Sequence, residues 1–165
     1  MTKKIFVAFA IALFSTALNA GDVVPKKVQV ALFSKIIGFN KNLSGDVTVY
    51  VMGDSEFAKL FKKKAEGKKS GKAKIKNVVS GDALPTNKPT IIYLGKDVSP
   101  ADVLAYTAKE GVMSITGTPK FVAEGVSLGL KLQKGKPKIL VGLKGTKAEG
   151  IKWNPTILKL GLKVK

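Results

Sequence analysis

Asp46-Val-Thr-Val-Tyr-Val-Met52, followed at once by Gly53-Asp54-Ser55, is the stretch on which the fold turns. β-Branched and aromatic residues crowd together and stop at a glycine, the pattern of a strand running into a turn. Asp54 is placed to cap a helix from Ser55 to about Glu66, with Phe57, Leu60 and Phe61 inward and Lys59, Lys62, Lys63 and Lys64 outward, until Gly67 ends it. Upstream, Pro25 to Phe39 spaces Val28, Leu32, Ile36 and Phe39, with Ala31 and Phe33 beside them, as the buried face of a helix.

Downstream, Lys72 to Val79 alternates lysines with apolar residues, which predicts a strand with one wet face near a sheet edge. Thr90 to Leu94 reads as a buried strand. Ser99-Pro100-Ala101-Asp102 predicts a helix start, with Ser99 as the cap, Pro100 at the first helical position and Asp102 returning the hydrogen bond; Gly111 ends that helix. Val112 to Ile115 is a further strand, Thr116-Gly117-Thr118-Pro119 a loop, and Phe121 and Val122 pack a short turn. Val126 to Leu132 and Ile139 to Val141 flank a Lys134-Gly135-Lys136 turn as a hairpin. A helical turn from Thr146 to Gly150 and a helix or strand-like tail from Pro155 to Leu162 close the chain. Strands alternating with helices from Val47 to Ile115 argue an α/β fold: a single-domain, open, mostly parallel sheet flanked by helices, with a C-terminal antiparallel β-hairpin at one edge.

Composition narrows the chemistry. All 29 basic residues are lysine, and the chain has no arginine, histidine or cysteine. No imidazole stands near neutral pH as a general base, and no thiolate can act as nucleophile or soft metal ligand, so binding is expected rather than catalysis. An enzyme would need a Ser–Lys or carboxylate pair assembled in space. No cofactor and no metal site are expected.

Residues 1–20 read as a secretory signal, with Lys3 and Lys4 before an apolar stretch from Ile5 to Leu18, leaving a domain over 21–165. That stretch of fourteen residues falls short of the ~20 that span a bilayer as a helix. Losing Lys3 and Lys4 takes the formal charge from +18 to about +16, which attracts anions of every kind. Export argues against nucleic acid, and the aromatics do not interleave with the lysines as stacking platforms would. Phosphate headgroups, polysaccharide or an acidic protein are the expected partners.

Nine lysines against one acid, Glu66, lie between Lys59 and Lys76. They form a candidate docking face for an acidic partner or anionic lipid, with Lys59, Lys62, Lys63, Lys64, Lys68 and Lys69 as steering charges, or else a solvated face that serves solubility. Gly67-Lys-Lys-Ser-Gly71-Lys72-Ala73 fails as a phosphate-binding loop: the glycine spacing is one residue short, and Ala73 stands where a hydroxyl is needed. Asp54, Ser55, Thr116, Gly117 and Thr118 follow strands, where open α/β sheets bind ligands, and they make a candidate crevice for a small anion. Ordinary helix capping explains the same residues, and Asp54 would repel an anion. Trp153 reads as a packing anchor.

The opening helix, the Val49-Tyr-Val-Met-Gly-Asp54 junction and the closing stretch together resemble the YfiR family of small periplasmic proteins. Most of the likeness lies in Gly111-Val-Met-Ser-Ile-Thr116, Pro119-Lys-Phe121, Glu124-Gly125-Val126, the Lys134-Gly135-Lys136 turn and Ile157-Leu158-Lys159-Leu160. The chain departs from the family at Val126 for a second glycine, at Gly142 for an asparagine, at Phe39-Asn40 for Trp-Pro, and in lacking cysteines. The resemblance implies an α/β domain, often a homodimer, that represses a membrane-bound diguanylate cyclase through that enzyme's periplasmic part. The expected function is therefore a periplasmic regulator of an inner-membrane signalling protein, steered by the lysine cluster, with apolar contact through the hairpin edge at Val126, Leu128 and Leu130. A binding protein for a small anionic ligand is the alternative.

Overall fold

The computed structural model describes residues 23–165, so the expected signal segment lies outside the described residues. β1 (Gly45–Met52) buries Val47, Val49 and Val51 completely. Asp54 then caps α2 (Ser55–Ala65) as expected, its carboxylate accepting the Phe57 N–H at 2.9 Å. The chain continues through the two-residue β2 (Lys69–Ser70), β3 (Ala73–Gly81), β4 (Ile91–Leu94), α3 (Pro100–Glu110), β5 (Met113–Thr116) and α4 (Pro119–Glu124). β6 (Leu128–Gln133), β7 (Lys136–Gly142), α5 (Leu143–Ala148), α6 (Pro155–Leu160) and β8 (Leu162–Val164) complete it.

One eight-stranded sheet runs in the order β2-β3-β1-β4-β5-β6-β7-β8. β3, β1, β4, β5 and β6 are parallel, a doubly wound order that reverses direction between β1 and β4. β2 is antiparallel to β3, β7 is antiparallel to β6, and β8 lies parallel to β7. The wet-faced strand is thus one short strand from the edge, close to where its lysine alternation placed it. Lys134 and Gly135 both take positive φ, 50° and 70°, which is what a two-residue hairpin turn requires.

Helices cover both faces. In β4, Ile91 and Tyr93 join the main core under α1 (Lys26–Ile36) and α2, while Ile92 and Leu94 join a second cluster with Val103, Val112, Phe121 and Val126. That alternation with both faces buried is the mark of a central parallel strand. Four rings anchor the first side: Phe57 stacks on Tyr93 at 3.8 Å between centroids, with Phe61 at 5.4 Å from Phe57 and Phe33 edge-on to Phe57 and Tyr93.

Several details differ from the sequence expectation. α1 ends at Ile36 in a 3-10 turn, Ile37–Phe39, and its buried face is Gln29, Val30, Phe33, Ile36 and Ile37, while Val28 and Ala31 are exposed. Apolar residues on α1 form more than one stripe, and the stripe that packs also holds Gln29, whose amide has a use described below. Ser99 makes no side-chain cap bond to α3; Pro100 and the left-handed Gly111 (φ 64°) still set the two ends. The hairpin is not a free edge, because β8 pairs with Leu140, Val141 and Gly142 of β7. The tail from Pro155 is both a helix and a strand. Trp153 is packed as expected, its indole N–H donating to the Thr146 hydroxyl at 2.8 Å.

A lysine-walled groove and the strand ends

α1 and α2 lie side by side over the ring cluster, and between them runs a groove of about 600 Å³. Val30, Ala31, Ser34 and Leu60 form its floor, and Lys27, Lys35, Lys63, Lys64 and Lys68 its walls. None of these five lysines makes an ion pair among the described residues. Both ends are tied. At one, the Lys26 ammonium lies 2.9 Å from Asp54 and 2.6 Å from Glu56, joining the starts of the two helices. At the other, the Ser70 hydroxyl donates to the Lys35 carbonyl at 2.9 Å and accepts the Gly38 N–H at 3.0 Å. Gly38 allows this approach, since a methyl group there would overlap the Ser70 and Gly71 backbone.

The lysine cluster read from sequence is divided by the fold. Lys63, Lys64 and Lys68 face the groove. Lys62 instead lines the opposite side of α2 with Glu66 and Asn77, Lys59 is exposed, and Lys69 sits on edge strand β2 across from Lys74. Lys76 pairs with Asp46 at 2.8 Å. Lys27 and Lys35, which sequence distance separated from the cluster, complete the groove.

Val126, Leu128 and Leu130, expected to offer an apolar edge, are fully buried. Val126 leads into β6, whose Leu128 and Gly129 pair with β5 on one side while the whole strand pairs with β7 on the other, so Leu128 and Leu130 point into the core. They form no contact surface on the folded chain.

Of the strand-end residues, Thr116 and Gly117 are covered, Asp54 and Thr118 are half-buried and Ser55 is exposed. Residues 24–29 lie across the ends of β1, β4 and β5: Val24 and Gln29 are buried, and Lys26 takes the Asp54 carboxylate. Gln29 donates to the Val24 carbonyl at 2.7 Å and accepts the Tyr93 hydroxyl at 3.0 Å. Burial and the nearby Asp54 charge push the Tyr93 phenol well above its ordinary value, although a bond from the Gly117 N–H acts the other way. Thr116 donates to the Leu94 carbonyl and accepts the Thr118 N–H, so its hydroxyl is spent internally. Ser55 opens α2 at the surface. On the other face, around Gly53, a cavity of about 560 Å³ is lined by Asp82, Asp97 and Asp102, an unsuitable set for an anion. A methyl group at Gly117 would overlap the Gln29 amide. Gly117→Ala is therefore expected to cost about 1–3 kcal/mol, read by denaturant melts, and Gln29→Ala in the same chain should recover part of it.

Sequence gave no hint of a second feature, Glu149, which follows α5 and is buried under β5 and β6. One carboxylate oxygen, Oε2, lies 3.0 Å from the Ser114 N–H and 2.7 Å from the Ser127 hydroxyl; the other, Oε1, has no hydrogen-bond partner. Burial pushes this carboxyl above its ordinary range, against the pull of the bonds from Ser114 and Ser127.

The fold and the α1–α2 face define a doubly wound α/β domain that carries a preformed groove walled by lysines. The chain belongs to the YfiR/HmsC-like family, whose model matches residues 26–161, from the first residue of α1 to just past α6. At family level this is a class of periplasmic regulatory proteins. No curated protein matches the chain.

Proposed function

We propose that the protein is a periplasmic regulator that binds the exposed part of an inner-membrane signalling protein, such as a diguanylate cyclase, and holds it inactive. Family membership over residues 26–161 supports the reading, and the unpaired lysine wall on α1 and α2 is the observation that carries it to a surface. Regulation is then an equilibrium: the bound regulator favours the inactive arrangement of its partner, and release shifts the population. Lysine rather than arginine suits this, because diffuse point charges accelerate encounter without demanding a fixed bidentate geometry.

The test is genetic and kinetic. Cells lacking the protein should hold more cyclic-di-GMP, and the wild-type chain should lower it again; an unchanged level in the deletion would refute the regulatory reading. With the purified periplasmic part of the cyclase, Lys62→Glu, Lys63→Glu and Lys64→Glu together should slow association by about tenfold or more at low salt, with the difference shrinking as salt is raised. An unchanged low-salt on-rate would remove α2 from the encounter surface.

A further inference from the structure

The groove has a shape as well as a charge, and the two together select an occupant. Its floor is mostly apolar and its walls carry five lysines: Lys27 and Lys35 on α1, Lys63 and Lys64 on α2, and Lys68 in the turn after α2. Lys27 and Lys35 are separated by about 12 Å of helix rise, roughly two turns. A partner helix laid along α1 and α2 would present apolar residues at i, i+3 or i+4, and i+7 to the exposed Ala31 and half-buried Leu60, with acids on either flank of that stripe reaching the lysine walls. A single acyl chain fits less well, because an open groove would leave one side of its methylenes in water, whereas a helix brings its own polar outer face. Ties at both ends, through Lys26 and Ser70, hold the seat ready in the free protein, so little ordering is needed on binding.

We propose that the groove between α1 and α2 is the docking seat for an acidic amphipathic helix of the protein's partner. The inference deepens the regulatory reading and rests on it for the partner's identity, but the seat can be tested separately.

The probe is a labelled 18-residue helical peptide with a leucine stripe flanked by glutamates, measured by fluorescence anisotropy, beside a twin in which every glutamate is glutamine. The glutamate peptide should bind, and its twin should bind at least tenfold more weakly. Lys63→Glu with Lys64→Glu should weaken binding at least tenfold, while Lys159→Glu with Lys163→Glu, the same change in net charge on α6 and β8, should leave it within twofold. All four side chains belong to exposed or half-buried surface residues, and far-UV circular dichroism verifies the fold of each variant. Ala31→Trp, which fills the floor from an exposed position, should block the peptide without altering net charge. Equal losses in the two double variants would reduce the effect to net charge and overturn the seat. So would binding to phosphatidylglycerol vesicles without binding to the peptide, or binding to neither.

A carbodiimide, which joins lysine amines directly to carboxylates, then separates the two claims in intact cells. Links from the groove lysines to acids spaced along one helical segment of an inner-membrane protein support both. Links to such a protein from other lysines only would overturn the seat and leave the regulatory reading standing. Peptide binding in the groove with no inner-membrane protein captured would overturn that reading and leave the seat.

Discussion

Phe57→Ala is expected to lower stability by about 3–5 kcal/mol, the range for emptying a fully buried aromatic site. Phe57 is completely buried, stacked between Tyr93 of β4 and Phe61 of its own helix, with Phe33 of α1 against its edge. No neighbour is free to collapse into the space: Tyr93 is held by Gln29, and Phe33 and Phe61 are themselves fully buried. At roughly 2–4 °C per kcal/mol for a chain of this size, the melting temperature should fall by about 10 °C. Phe57→Leu, which keeps most of the volume, should lose markedly less. A loss below about 1 kcal/mol for the alanine variant would mean that the ring cluster does not clamp α1 and α2 to the sheet. Since the same rings lie beneath the lysine-walled groove, the variant should also weaken any partner that needs the two helices in register.

Glu149→Ala should cost roughly 2–5 kcal/mol, and its value lies in comparison with Glu149→Gln. Removing the carboxyl leaves the Ser114 N–H without its acceptor in a buried site, at about 1–3 kcal/mol per unsatisfied group, and adds a cavity. The Ser127 hydroxyl has one proton and two acceptors at 2.7 Å, Glu149 Oε2 and the Ser114 carbonyl. A protonated Glu149 resolves the competition by donating to Ser127, which then donates to Ser114. Protonation also lowers the cost of leaving Oε1 without a partner.

The pH dependence follows from the raised value of this carboxyl. The folded protein holds the proton at pH values where the unfolded chain has released it, so Glu149's contribution is full below its unfolded value and is lost as pH rises through its folded one. Asp46 has the opposite sign, because its bond to Lys76 holds its carboxyl low and favours the folded state as pH rises. Subtracting the thermal-melt profile of Glu149→Gln from that of the wild type, between pH 4 and pH 8, cancels Asp46 and isolates the glutamate. The difference should favour the wild type in acid and fall as pH rises. A flat difference would mean that Glu149 is ionised at no cost to the fold.

Most of the frame was legible because its signals are local. β1, the Asp54 cap, the Pro100 start and Gly111 stop of α3, and the Lys134-Gly135 turn each depend on a few adjacent residues whose backbone preferences are intrinsic. On α1 the period places Phe33 and Ile36 in the core, with Leu32 and Phe39 packed against it, but it does not separate them from the exposed Val28 and Ala31, because apolar residues at 28, 30, 31, 32 and 33 offer more than one stripe. The choice fell to Gln29, a polar residue that no hydrophobic period selects, since only its fit between Val24 and Tyr93 makes it an interior residue. The hairpin stands at one side of the parallel sheet as its sequence predicts, and only the strand beyond it, β8, has no signal in the chain. β8 is three residues long, and its pairing with β7 is a contact that no periodicity in either strand encodes.

The candidate site shows the same division. Lysine abundance and the absence of arginine, histidine and cysteine belong to the sequence outright, and with them the expectation of binding to something anionic. Which lysines act together is a property of packing: Lys27 and Lys35 meet Lys63, Lys64 and Lys68 only because Phe33 and Phe57 bring two helices onto one sheet face. Glu149 had no local signal at all, as its burial comes from β5 and β6 closing over a turn that looks solvent-exposed in the chain. Short-range order is set by backbone preference and side-chain period, which a chain carries with it. Long-range adjacency arises only when strands pair and helices pack, and there the groove, the covered strand ends and the buried carboxyl were decided.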